Sequence, residues 1–229
     1  MTTLNQLRKD VISASRILSH MKLVEGFGHV SARIPDSDRF LITPRISLAM
    51  VSEEQLLTLN LNADLVEGSH PVPIEAALHA AIMKAKPRVN AITRIHARVA
   101  NIFSVTDRTL EPVHSHGSFF AGGVPVYAKP DLILTAALGG EVAQMLDDKP
   151  AVLLRGNGQV TVGRTIPEAL MMAIYLEEAA QILYGALQIG TPIPLSLNES
   201  RQRQAEALTP ADMERAWNFF KNKVERESR

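Results

Sequence analysis

The chain has 229 residues, enough for one large domain on a prior of about 100–200 residues each. Apolar residues make up 46% and charged residues 21%, and 24 basic side chains balance 24 acidic ones, so no bulk charge favours nucleic acid or an anionic membrane. Cysteine is absent, which excludes disulfides, a thiolate nucleophile and Cys-ligated zinc and leaves any metal to His, carboxylate, amide or water.

Residues 4–24 set Leu4, Leu7, Val11, Leu18 and Met21 at helical spacing, which predicts an amphipathic opening helix stopped near Gly26 and Gly28. The opening residues lack the apolar segment of a signal peptide, and no apolar run approaches the ~20 residues of a bilayer span. A cytoplasmic protein is therefore expected. GHVSARIP and FLITPR flank the polar turn DSDR and read as a hairpin. Ser31 and Arg33 share one strand face, and Thr43 closes the second strand. Residues 52–66 add an acidic turn and a further strand, with a hairpin corner at residues 62–64.

The segment Pro73–Asn101 reads as a short helix, a turn at Pro87 and a buried strand. Glu75 and His79 lie four apart and share a helix face, while Arg94 and His96 lie two apart and share a strand face. Burial beside Leu78 and Ile82 would help to keep Glu75 protonated. Helix 97–104 precedes a loop and the glycine-rich VHSHGSFFAGGVPVY, whose His114 and His116, if on a strand, point the same way. A helix over 130–146 leads to AVLLRGNGQVTVG, two strands joined at a Gly156-Asn157-Gly158 turn. Thr165 and Glu168 form a capping box for a helix running to about Gln188, ended by Gly190. On it, packing and solvation explain Tyr175, Glu177 and Glu178. Residues 191–204 lack periodicity and read as an extended arm. A last helix begins at Thr209–Pro210, with Met213, Trp217, Phe220 and Val224 on one stripe that docks on this subunit or a neighbour.

The order GHVSAR, FLITP, PIEAALH, R-I-H, LLRGNGQVTVG and a long Glu-containing helix resembles the class II aldolase and adducin family over about residues 5–190. The resemblance implies an α/β fold, a three-layer α/β/α sandwich with a largely antiparallel central sheet, over residues 1–190. Residues 191–229 then form a C-terminal arm and helix. It also implies a homo-oligomer, usually a tetramer with active sites between subunits. Sugar-phosphate aldolases of that family hold a divalent metal by an H-x-H pair after the Glu helix and by a His in a later H-G turn. Here those positions are Arg94, His96 and Asn157, the phosphate-binding Ser-Ser is Pro73-Ile74, and the usual Asn of the glycine loop is His29.

GHVSAR with LLRGNG is more similar to the family's decarboxylases of hydroxylated aromatic or pyridine carboxylates, enzymes of aromatic catabolism. This implies a small-molecule carboxylate substrate and a divalent metal, Mn2+ or Zn2+, with Fe2+ as a third option. Both aldol cleavage and this decarboxylation leave an electron pair on carbon that a cation on the adjacent oxygen delocalises. The resemblance makes His96 a metal ligand, and His116, His114 and His79 are the candidates to replace the lost ones. Each has a plain alternative: a backbone-satisfied histidine for His96, an incidental loop pair for His114 and His116, and a core residue for His79. Glu75 is the implied proton donor, against a first-turn carboxylate favoured by the helix dipole. Arg94 cannot bind a cation and suits a substrate carboxylate or a structural salt bridge. His29 is a candidate shuttle, and Ser31, Arg33, Thr43, Arg45 and Asn157 are candidate substrate contacts, against a polar strand rim and a turn residue. The leading expectation is a metal-dependent decarboxylase. The alternatives are an aldolase or epimerase on a non-phosphorylated keto acid and a metal-free binding module.

Overall fold

A computed structural model describes residues 3–207 and 209–227. The strands are β1 (His29–Arg33), β2 (Arg39–Ile42), β3 (Leu57–Asn60), β4 (Leu65–Glu67), β5 (Ala91–Ile95), β6 (Val126–Tyr127), β7 (Ala151–Leu154) and β8 (Gln159–Gly163). The helices are α1 (Leu4–His20), α2 (Ala76–Ala85), α3 (Arg98–Phe103), α4 (Ala136–Leu146), α5 (Ile166–Ile189), α6 (Leu197–Ala207) and α7 (Pro210–Glu227). The strands form one eight-stranded sheet in the order β4-β3-β2-β1-β5-β8-β7-β6. Every pairing is antiparallel except β6 with β7.

Side chains alternate across a strand, so each face of this central sheet builds its own core. Val30, Ala32, Leu41, Ala91, Ile95 and Leu153 join α1, α3, α5 and α7 in one cluster. Phe40, Ile42, Leu57, Ile92, Val152 and Val160 join α2 and α4 in the other. This is the expected three-layer sandwich. The α2–α4 contact is close: a Cβ on Gly139 would stand 2.7 Å from that of Ala81. Between the layers, Thr93 and Thr161 share a 2.7 Å hydrogen bond, and the Thr161 hydroxyl donates to the Ala169 carbonyl, pinning α5 to the sheet.

Four sequence expectations change. Helix α5 spans 24 residues and is long and apolar enough to cross a membrane, but 61% of its most apolar window lies buried between the sheet and other helices. It is hydrophobic all round because it is a core helix. Helix α4 starts at Ala136, where Thr135 accepts from the Leu138 N–H, and the residues before it form a loop. The supposed extended arm contains α6. A capping box starts it: Ser196 Oγ accepts from the Glu199 N–H at 3.2 Å and Glu199 from the Ser196 N–H at 2.8 Å. Finally, His114 lies in a loop and His116 opens a 3-10 turn over His116–Phe120.

The C-terminal helices dock on their own chain. Leu195 N–H donates to the Pro112 carbonyl and Gln204 to the Ser118 carbonyl, laying α6 over the turn that carries His116. Helix α7 buries Trp217 and Val224 against α1 and α5. His20 pairs with Glu227 at 3.2 Å and ties the end of α1 to the end of α7.

Candidate functional site

Sheet register determines which polar side chains meet at the end of β5. His29 on β1 stands opposite Arg94 on β5, and Arg94 opposite Val160 on β8. Ser31, two residues on from His29, lies on the same face. Glu75 is the N-cap residue of α2, and His79 is one turn further along. The strands and the helix thus enclose one cluster between the sheet and α2.

Its centre is Arg94, 1% exposed, facing Glu75, 5% exposed. Arg94 Nη2 lies 3.1 Å from Glu75 Oε2, and Glu75 Oε1 accepts from the Ile133 N–H at 3.2 Å. Both carboxylate oxygens therefore face polar partners, a guanidinium and a backbone N–H, within the buried setting that the sequence predicts. Arg94 Nη1 donates to the Ile95 carbonyl at 2.9 Å and reaches His96 Nε2 at 3.4 Å. Arg94 Nε has no hydrogen-bond partner, and Nη2 meets Glu75 as an ion pair.

Three histidines surround this pair and all are held neutral. Burial, then the Arg94 charge and His96, pulls His29 down to about 3. His79 is pushed well below its usual range by burial, then His29 and Arg94. Desolvation and Arg94 bring His96 to about 4, although part of its ring is exposed. Burial also lowers the Arg94 guanidinium, and Glu75 opposes that shift. His79 Nδ1 and the Ser31 hydroxyl share a 2.7 Å hydrogen bond, while His79 Nε2 and His29 Nδ1 lack partners.

The turn at residues 156–158 closes the cluster. Gly156 and Gly158 N–H groups donate to Ser104 Oγ and Asn101 Oδ1, which ties the turn to α3. Gly158 has φ +73°, and a Cβ there would stand 2.2 Å from the Ile95 carbonyl oxygen and 3.0 Å from Arg94 Nη1 and His96 Nδ1. Asn157 serves the turn through its backbone N–H to Leu154, and its side-chain Nδ2 is buried without a partner.

The remaining sequence candidates divide. Thr43 is buried and its hydroxyl accepts from the Val30 N–H, a sheet-end role. Arg33 donates to the Met83 and Val89 carbonyls, clamping β1 to the end of α2. Arg45 is exposed.

A second cluster forms where the 3-10 turn meets α5. His116 Nδ1 is 3.0 Å from Glu178 Oε2 and His114 Nε2 is 3.8 Å from Glu178 Oε1. Among the described residues these three form the one group of at least three metal-type ligands, with donor atoms within 4.8 Å of one another. His96 and His79, expected beside His114 and His116, belong to no such group. Glu178 was legible only as one of three glutamates on a mainly apolar helix. His116 stacks on Tyr175 at 4.3 Å. His116, Tyr175 and Glu178 line a cavity of about 670 Å³ walled also by Phe219 and Phe220.

A divalent ion at the position that the resemblance implies, held by the residues at 94, 96 and 157, does not fit these side chains. Arg94 offers donors only, its guanidinium already faces both Glu75 and His96, and a second cation there would meet a buried like charge.

The family model of the class II aldolase and adducin N-terminal domain matches residues 9–184. A 3,4-dihydroxyphthalate decarboxylase from Arthrobacter keyseri is 28% identical over 190 residues, covering 76% of this chain and 75% of that protein. An L-fuculose phosphate aldolase from Escherichia coli K12 is also 28% identical, over 198 residues covering 85% and 90%. The crystal structure of an aldolase II superfamily protein from Pseudomonas syringae superposes with a TM-score of 0.86 at 22% identity, covering 97% of this chain and 93% of that one.

Proposed function

This chain belongs to the class II aldolase and adducin family, and within it we propose a carbon–carbon lyase that decarboxylates a hydroxylated aromatic or heteroaromatic carboxylic acid. The observation that carries the reading is the buried Arg94–Glu75 pair, with His96 beside it reaching solvent. The decarboxylase and aldolase relatives support a lyase, and Pro73-Ile74 in place of a phosphate-binding Ser-Ser disfavours a phosphosugar.

Arg94 is the resident cation of this reading. Its guanidinium, oriented by Glu75, stabilises the oxygen that gains charge as the carbon–carbon bond breaks, a preorganised electrostatic role worth roughly 10²–10³ in rate. His96 is neutral at physiological pH and accepts a hydrogen bond from the ring hydroxyl at Nε2, the nitrogen now in a 3.4 Å contact with Arg94, while the hydroxyl's proton passes through water to the ring carbon bearing the carboxylate. Carbon dioxide then leaves, the bonding pair restores the ring, and the phenolate takes a proton from water. Glu75 holds Arg94 in place and does not donate. His29 and His79 keep the rear of the cluster neutral.

A homo-oligomer is part of this reading, supported by exposed apolar side chains such as Phe27, Met50, Ile189 and Ile193. So is a cytoplasmic setting.

The test is release of carbon dioxide from a panel of ortho-hydroxy benzene and pyridine carboxylates, with and without added manganese or zinc. Arg94→Lys and His96→Gln are expected to lose at least about 100-fold. Aldehyde release from a hydroxy keto acid, with no carbon dioxide from the panel, would reassign the chain to aldol cleavage. No turnover of either kind sinks the lyase reading.

A further inference from the structure

We propose that His114, His116 and Glu178 form a binding site for a divalent transition metal ion of the zinc or cobalt class, separate from the Arg94 cluster. The inference stands independently of the lyase reading.

The geometry is that of a two-histidine, one-carboxylate centre. A tetrahedral ion with bonds of about 2.0–2.1 Å sets its ligand atoms roughly 3.4 Å apart. His116 Nδ1 lies 3.0 Å from Glu178 Oε2 and His114 Nε2 3.8 Å from Oε1, and one donor atom from each residue lies within 4.8 Å of the others, so the three side chains close in by rotamer changes to reach that spacing. Both ring nitrogens of His114 are shielded from solvent and have no hydrogen-bond partner, although the side chain as a whole is 17% exposed. A shielded imidazole lone pair without a donor is costly unless something binds it, and a metal ion would.

The site is held before any ion arrives. His116 is fixed by its stack on Tyr175, and Tyr175 stacks in turn with Phe119. Gly117 lets the turn pass close to His114: a Cβ there would stand 3.0 Å from His114 Nδ1. Helix α6 clamps the same turn through Gln204 and the Ser118 carbonyl. Glu178 comes from the long core helix, the least movable element available. With three protein ligands, a fourth position stays open to water or an external ligand. His116 and Glu178 both line the cavity with Phe219 and Phe220, so that ligand is a small molecule with an apolar body and a donor atom at one end.

The experiment titrates full-length, chelator-treated protein with Co2+, following visible absorption, and with Zn2+ by calorimetry. One equivalent with tetrahedral-type absorption is expected. Glu178→Gln and His114→Gln should weaken binding by more than about 100-fold, and His96→Gln should bind as the parent does. Thermal melts check that each variant is folded, and anomalous scattering at the zinc edge from parent crystals locates the ion directly. No binding by the parent overturns the proposal. So does a signal that survives Glu178→Gln but disappears in His96→Gln, or an anomalous peak beside Glu75. Carbon dioxide release by an Arg94-dependent enzyme with no bound metal would leave the lyase reading intact while removing this one.

Discussion

The Arg94 cluster and the His114 cluster use the same kinds of side chain, histidines and a glutamate, and arrive at opposite electrostatic states. At the first, a buried guanidinium already answers the carboxylate, and burial, reinforced by that charge, holds three neighbouring imidazoles neutral. At the second, the glutamate is 40% exposed and its ion-pair partners among the described residues are the two histidines, with Arg215 further along the wall of the same cavity. One arginine thus decides where a metal ion is admissible. Histidine count is a poor guide to a metal centre unless the charge already present is counted with it.

The comparison breaks most sharply at Glu75. Glu75→Gln leaves Arg94 buried and unpaired, and a loss of about 3–5 kcal/mol is expected in urea denaturation. Adding Arg94→Met to Glu75→Gln removes the orphaned charge and should recover most of that loss. If the single variant is as stable as the parent, the pair does not hold the cluster together. In the second cluster, Glu178→Gln should cost under about 1 kcal/mol, because partly exposed pairs contribute little.

Next in size is Gly158→Ala. A side chain at φ +73° costs about 1–3 kcal/mol, and the clash with the Ile95 carbonyl adds to it. A lowered melting temperature with reduced lyase activity is expected, with Co2+ binding at His114 unchanged.

Acid should separate the clusters as well. His29 is held at about 3 when folded but titrates near 6.5 when unfolded, so the unfolded chain binds the extra proton between those values. His79 shifts in the same direction. Stability is thus complete above about pH 6.5 and falls as pH drops from there towards 3. Urea midpoints at stepped pH should show this slope, and His29→Gln should flatten it. A midpoint independent of pH over that range would mean that the folded cluster protonates freely.

The smallest effect is expected at Ser196. Ser196→Ala removes the α6 cap, worth about 1 kcal/mol, and should loosen the turn carrying His116. Faster amide exchange at Ser118 would register it.

Much of the architecture follows from local chemistry that any reader of the chain can apply. The 3.6 and 2.0 periodicities locate α1, α5, α7 and the central strands, Thr165 marks the start of α5, and Gly156-Asn157-Gly158 marks the β7–β8 turn. The capping box at Ser196 and Glu199 was equally legible and announces α6. Pairing along one element was legible too, as for Arg94 with His96. What needed the tertiary structure was every contact between elements. Which charge Glu75 faces depends on the β1–β5–β8 register and the placement of α2 over it. Glu178 meets His116 across 62 residues of chain because a core helix and a 3-10 turn happen to pack there. Periodicity states which face a side chain occupies; only packing states what stands opposite, and a partner's charge decides whether a glutamate and a histidine make a salt bridge, a proton relay or a metal site.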